Sequence, residues 1–301
     1  MSARAPLSAL TAWGVGGPAD LVVQPANEEE TERAVRLAVE LGIPCRILGW
    51  GSNLLVNDQG IRGLVIRPSA GFSALEIAGD SVTAEMGVGL PVLARECARR
   101  GLSGMEFAIG IPGSLGGAVA TNAGAEGSQM ADVLAAIRVV RRSGVMEVRD
   151  ARMLRFRYRH SALLEEPALV VSATLQLTGE EPGQVSERTR AVLEKRRRQP
   201  KGRSCGSVFR NPEGGSAGRL LEKVGAKGMR CGGARVPGEH ANFVLAEGKT
   251  SASDILDLMR TLQERVLDET GTLLEPEVMF AGFEEGDPAL PRGARVVREI
   301  T

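Results

Sequence analysis

Apolar positions along the chain switch between short strand-like runs and longer stretches with helical spacing. Leu21-Val22-Val23 reads as a strand stopped by Pro25. Asn27 then opens a helix. Its side chain can accept from the free N–H groups of the first turn, Glu28, Glu29 and Glu30 suit the positive helix end, and Gly42 suits the stop. Thr31, Ala34, Val35, Ala38 and Leu41 define the apolar face. Ile43 to Leu48 is a second strand, and Leu54-Leu55-Val56 and Leu64-Val65-Ile66 resume strand character. Residues 1–67 therefore read as a small α+β unit. Residues 68–200 favour strands, at Ser81–Met86, Ile137–Val140, Val145–Val148 and Leu169–Leu177, with Ser143-Gly144 as a hairpin turn. Two helices interrupt them, one opened by Pro91 and closed by Gly101, the other over Gln184–Arg198 and ended before Pro200. A third unit, 201–283, carries a helix over Ala217–Val224, strand-like Asn242–Ala246, and a helix from Ser253 to Glu269 striped by Ile255, Leu258, Met259, Leu262 and Val266. The polar tail, 284–301, with two prolines, reads as peripheral.

Composition narrows the function classes. Lys plus Arg and Asp plus Glu both number 37 among 301 residues, so overall charge announces no nucleic-acid partner. Cys45, Cys97, Cys205 and Cys231 lie far apart and there are only two histidines, which argues against a metal site. Phe107 to Ala125 is uncharged, but Pro112, Ser114, Thr121, Asn122 and five glycines break it too thoroughly for a membrane-spanning helix. With no signal-like N-terminal pattern, the expectation is a cytoplasmic protein without membrane insertion. The 38 glycines are nearly double the usual ~7% and direct attention to two loops.

The first loop is Gly49-Trp50-Gly51-Ser52-Asn53, followed by Leu54. Successive N–H groups here can form an anion nest, with Ser52 and Asn53 as added donors. Leu54 stands where a dinucleotide fingerprint needs its third glycine, and strand rather than helix follows, so the common dinucleotide fold is excluded. Taken alone, a plain turn between two strands explains this loop at least as well. The second loop runs Gly110-Ile111-Pro112-Gly113-Ser114-Leu115-Gly116-Gly117, then Asn122-Ala123-Gly124. Its bare backbone can lie beside a large flat group, and Ser114 with the N–H groups near Gly116 and Gly117 can hold phosphate; a tightly packed core turn is the alternative. Two such loops in one chain bring a dinucleotide cofactor level with the packed-turn alternative.

Seven blocks in register resemble the UDP-N-acetylenolpyruvoylglucosamine reductase family. They are Thr11–Asp20, Leu48–Val56, Gly104–Ala118 with Asn122-Ala123-Gly124, Phe156–Ser161, Cys205–Pro212, Gly232–Val236 with His240–Phe243, and Leu274–Val278. The resemblance implies an α+β chain with the FAD-binding fold of the vanillyl-alcohol-oxidase type in two subdomains (1–67 and 68–200) plus a C-terminal α+β substrate domain. It implies non-covalent FAD held by the two glycine loops, NADPH as reductant, UDP-N-acetylglucosamine enolpyruvate as substrate, and a monomer.

The resemblance also assigns roles. Arg159 would be the cation near the substrate carboxylate, Glu277 the group supporting the enolic form, and Ser207 the proton donor. Glu275 is the neighbouring acid that the register passes over. Tyr158, Arg210, Asn211 and His240 would contact substrate. The family often carries Lys where Arg210 stands and Ser-x-Lys where Pro237-Gly238-Glu239 stands. Tyr158 is the chain's one tyrosine, which implies the shorter subtype lacking a substrate-covering tyrosine loop. Two rivals are a different flavin oxidase on the same cofactor fold and a non-catalytic binding module built on Lys195–Arg198.

Overall fold

Local signals build the first helix. In the structure, a computed structural model describing residues 1–300, Asn27 caps α1 (Glu28–Glu40) by accepting from the Glu30 N–H. Thr31, Val35 and Ala38 are buried, whereas Leu41 is 68% exposed because the helix ends at Glu40 and the chain turns before the side chain can face inward. The helix packs beside a sheet ordered Ser2–Pro6, Pro18–Val23, Ile61–Ile66, Cys45–Ile47, parallel except for its first pair.

The middle of the chain is a five-stranded antiparallel sheet ordered Met146–Asp150, Leu134–Val140, Leu169–Gln176, Ser81–Glu85, Leu75–Ala78. Gly144, at φ +73, closes the hairpin between its first two strands. Helix α2 (Leu90–Arg99) buries Leu90, Leu93, Ala94 and Cys97 in the core beneath this sheet. The second glycine loop leads into the short α3 (Leu115–Thr121), and α4 (Pro182–Arg196) packs alongside α2.

The third part is held by α5 (Ala217–Lys223) and α6 (Ala252–Thr270), whose buried stripe includes Ile255, Leu258, Met259, Leu262 and Val266. Ser251 and Asp254 form a reciprocal cap on α6, and Asp58 from the N-terminal part accepts from the Ala252 and Ser253 N–H groups. Trp13 also crosses over, donating from Nε1 to the Val244 carbonyl at 2.7 Å within the α5–α6 core.

Two departures matter for the site. Leu54–Val56 does not continue the N-terminal sheet; it pairs in parallel with Met279–Ala281, so the first glycine loop bridges two sheets. The tail is not peripheral. Arg295–Val296 adds a parallel strand to Met279–Ala281, and Ile300 is 1% exposed with its N–H on the Cys45 carbonyl. Backbone pairing draws this segment onto the sheet, which its polar composition could not reveal. Among the described residues no helix is long and apolar enough to cross a membrane.

Candidate active site

The two glycine loops meet. A methyl group on Gly49 would stand 2.8 Å from Ser114 Oγ. Between the loops and the third part of the chain lies a cavity of about 890 Å³, within the ~300–1,000 Å³ range of organic-ligand sites. Its walls come from Gly49–Leu54, Gly110–Ser114, Gly116–Ala118, the 158–159 turn, the 204–207 loop, Glu277 and the C-terminal segment.

Each glycine has its own reason. Gly113, at φ +149, holds a conformation that favours glycine, and a Cβ there would meet nothing closer than Ser52 Oγ at 3.9 Å, so the space on that side is open to a ligand. Gly117 is similarly bare. Gly51 serves the protein instead: a Cβ there would lie 2.1 Å from the Leu10 carbonyl oxygen. Gly124 is required by the Ser128 carbonyl at 2.5 Å. The Gly116 N–H is spent on the Met86 carbonyl and that of Leu115 on Val88, so neither is offered to a phosphate. What remains for a large flat group with phosphates is an apolar wall (Met86, Leu90, Ile111, Val170), the Ser52 and Ser114 hydroxyls, and bare backbone at Gly113 and Gly117. These residues fit FAD.

Arg159 stands on a two-residue turn. Arg157 and His160 exchange both backbone hydrogen bonds at 3.1 Å, leaving Tyr158 and Arg159 at the tip, with Arg159 at φ +53. The end of α3 fixes this turn. Asn122 donates from Nδ2 to the Arg157 carbonyl, Ser161 Oγ donates to the Ala120 carbonyl, and Arg159 Nη2 donates to the Gly124 carbonyl at 2.8 Å. Arg159 Nε donates to Glu277 Oε1 at 2.6 Å, the two side chains being 19% and 18% exposed. The Arg159 guanidinium carbon lies 5.0 Å from the centre of the Tyr158 ring, a cation–π distance.

Glu277, two residues before the Met279–Ala281 strand, is aimed by hydrogen bonds to its own backbone. Its N–H donates to the Val208 carbonyl, and its carbonyl accepts from Asn53 Nδ2 at 3.1 Å. The Val208 contact brings the Ser207 segment alongside, and Ser207 follows Gly206 at φ +77. Asn242, 3% exposed, clamps that segment by accepting from the Phe209 N–H and donating to its carbonyl. Thus Arg159, Glu277, Ser207, Tyr158 and Asn211 all line one cavity. Asn211 also accepts from the Ala217 N–H at the start of α5.

Three expected contacts point elsewhere. Asn122, placed among the cofactor residues, is fully buried and its amide is used on Gln129, Arg157 and Ala131. Arg210 pairs with Glu275 at 2.8 Å and donates to the Pro276 carbonyl, away from the cavity. His240 accepts at Nδ1 from the Asn242 N–H and packs on Phe243, and burial lowers its pKa. Sequence reasoning missed Arg196 and Arg295, both cavity-lining. Burial lowers the pKa of Arg196, which belongs to the Lys195–Arg198 run that the sequence offered only as the basis of a binding module.

Comparison with known proteins agrees with this geometry. Residues 198–281 match the model of the UDP-N-acetylenolpyruvoylglucosamine reductase C-terminal domain, and residues 19–149 match that of an FAD binding domain. UDP-N-acetylenolpyruvoylglucosamine reductase of Moorella thermoacetica is 42% identical over 279 residues, covering 92% of both chains. That of Synechococcus sp. (strain JA-3-3Ab) is 45% identical over 287 residues, covering 94% of this chain and 91% of the relative. The crystal structure of the Thermus caldophilus reductase superposes with a TM-score of 0.79 at 39% identity, covering 91% of this chain and 96% of that one. Identity at this level across nine-tenths of the chain shows that it belongs to the UDP-N-acetylenolpyruvoylglucosamine reductase family and is an FAD-dependent oxidoreductase.

Proposed function

We propose that the chain uses NADPH to reduce the enolpyruvyl group of UDP-N-acetylglucosamine enolpyruvate to the lactyl group of UDP-N-acetylmuramate, a peptidoglycan precursor, acting as a cytoplasmic monomer. One observation carries this reading: a guanidinium, a carboxyl and a hydroxyl from three distant segments converge on the cavity that the glycine loops border.

FAD, when bound, supplies hydride transfer from NADPH to the alkene. The protein's task is to accommodate the charge that results. Arg159 spends Nε on Glu277 and one N–H of Nη2 on Gly124, which leaves Nη1 for the substrate carboxylate. That contact strengthens as negative charge reaches the carboxylate, so it acts in the transition state more than in the ground state. Glu277, held against Arg159, supports the enolic oxygen. Ser207 Oγ has no protein hydrogen-bond partner among the described residues and gives its proton to the carbon next to the carboxylate. Ser52, Ser114, Gly113 and Gly117 hold the cofactor, and Tyr158 and Asn211 line the substrate side.

Ser207→Ala tests the assignment. NADPH should still bleach the flavin at close to the normal rate, while reoxidation by the enolpyruvyl nucleotide should slow by about 10²–10⁴, the usual contribution of a positioned proton donor. Loss of flavin reduction itself would refute the role. So would NADPH consumption that does not depend on the nucleotide.

A further inference from the structure

We infer that Arg295, on the C-terminal segment, is a positioning residue that holds Arg159 in place by donating to its backbone carbonyl. The inference rests on the role proposed for Arg159.

The left-handed conformation of Arg159 is unfavourable for a residue with a Cβ and persists only where its surroundings over-determine it. The backbone ties at Arg157, His160 and Ser161 act on its neighbours. On the backbone of Arg159 itself the contact is Arg295 Nη1 donating to its carbonyl at 2.7 Å. Arg295 is registered opposite Met279, two residues beyond Glu277. One strand therefore sets both members of the ion pair: Glu277 through the chain, and Arg159 through Arg295.

The segment is pinned to three separate parts of the chain. The Val297 N–H donates to the Phe280 carbonyl at 2.7 Å, Arg298 Nη1 donates to the Glu165 carbonyl at 3.1 Å, and Glu299 pairs with Arg46 at 2.6 Å. These anchors give Arg295 a fixed base from which to restrain the turn.

Arg295 makes poor sense as a stabiliser of the fold. Among the described residues it has no carboxylate within ion-pair distance, and its Nε is buried without a hydrogen-bond partner. Burial, with Arg210 nearby, lowers its pKa to about 10 against the weaker, opposite pull of Glu277 and Glu275, neither of which reaches ion-pair distance. A buried charge without an ion-pair partner is commonly neutral or costly for stability. Its retention beside a strained arginine is accounted for by the carbonyl it orients.

The test compares Arg295→Met and Arg295→Lys with the parent, all FAD-loaded, by stopped-flow measurement of the two half-reactions. Met keeps length and removes the donor; Lys restores one N–H donor. In Arg295→Met, flavin reduction by NADPH should stay within about twofold, while reoxidation by the enolpyruvyl nucleotide should fall about 10- to 100-fold, the scale of a small misplacement of a reacting group. Arg295→Lys should recover most of that loss. Amide exchange of the peptide covering residues 156–161 should quicken in the Met variant, with or without FAD, while the melting temperature stays level or rises.

Equal slowing of both half-reactions, unchanged reoxidation, unchanged exchange, or Lys performing no better than Met would each overturn the inference. If the Met variant does not fold, the Lys variant alone decides, on whether its loss is confined to reoxidation. Arg159→Ala separates the two levels. If it leaves reoxidation intact, the proposed role of Arg159 fails; if it slows reoxidation and Arg295→Met does not, only the positioning inference fails.

Discussion

Asn122 provides a sharp check on how the site is scaffolded. It is fully buried, caps α3 in the left-handed region at φ +47, and makes three hydrogen bonds, to Gln129, Arg157 and Ala131. Glycine at this position keeps the backbone conformation and loses those three bonds, at about 1 kcal/mol each or roughly 3 kcal/mol together. Alanine loses the same bonds and must also hold a Cβ in the left-handed region, adding about 1 kcal/mol. At about 2.1 cal/mol/K per residue, the whole chain unfolding as one unit has an unfolding entropy near 0.6 kcal/mol/K. Asn122→Gly should therefore lower the melting temperature by about 5 °C and Asn122→Ala by about 6–7 °C. Scanning calorimetry on FAD-free and FAD-loaded protein makes the comparison decisive. A scaffold residue costs the same in both forms. A residue that touched the cofactor would cost more in the loaded form, because binding adds to stability by mass action. A decrement confined to the loaded form, or none in either, would refute the structural account of Asn122.

Two further outcomes follow from packing and burial. A Cβ at Gly51 meets the Leu10 carbonyl oxygen at 2.1 Å with φ at +69, whereas one at Gly110 meets side chain, Arg196 Cγ at 2.5 Å, Cδ at 2.9 Å and Cβ at 3.1 Å. Gly51→Ala should thus lower the melting temperature by several degrees and Gly110→Ala by about 1 °C, since backbone cannot retreat and a long side chain can; similar values for both would contradict that reasoning. Burial pushes the Cys97 and Cys205 thiols up to about 12. Unfolded thiols titrate near 8.5, so the folded values are raised. The stability they contribute is whole below about pH 8.5 and is lost as pH climbs towards 12, by up to about 1.4 kcal/mol per pH unit for each. Urea midpoints at pH 8 and pH 10 should show this fall, and Cys97→Ala should remove its share; an unchanged slope in that variant would count against the burial argument.

What was legible in the sequence was local. The cap at Asn27, the turn at Gly144 and the stripe on α6 each involve residues within a few positions of one another. The convergence of Arg159, Ser207 and Glu277 came from resemblance, since nothing in their own surroundings announces that they meet. The partner of Leu54–Val56 stayed hidden because that run and Met279–Ala281 are three-residue, wholly buried strands with no alternation to set a register. The tail was misread for a related reason: Arg295–Val296 is drawn in by main-chain pairing and by Ile300, not by an apolar stripe. The glycine loops were located correctly, but part of their glycine content answers to the protein's own backbone, at Gly51 and Gly124, and this cannot be separated from ligand-facing glycine without coordinates.

A common device runs through the site. Each of the three converging residues lies on backbone held by an asparagine from another segment. Asn122 holds the turn of Arg159 through the Arg157 carbonyl, Asn53 holds the Glu277 carbonyl, and Asn242 grips Phe209, two residues past Ser207. Asparagine suits the task because its short amide both donates and accepts, matching a peptide group without adding charge. The three asparagine ties add no charge to a cavity where poor solvation magnifies every charge, whereas the charged tie, Arg295, acts on the Arg159 carbonyl. Neutral ties between segments leave the electrostatics of the cavity to the charged groups that line it, Arg159, Arg196, Arg197, Lys201, Glu277, Arg295 and Arg298. Six of these seven are cations, which gives the cavity a net positive character, as the proposed reduction of an acid-bearing substrate requires.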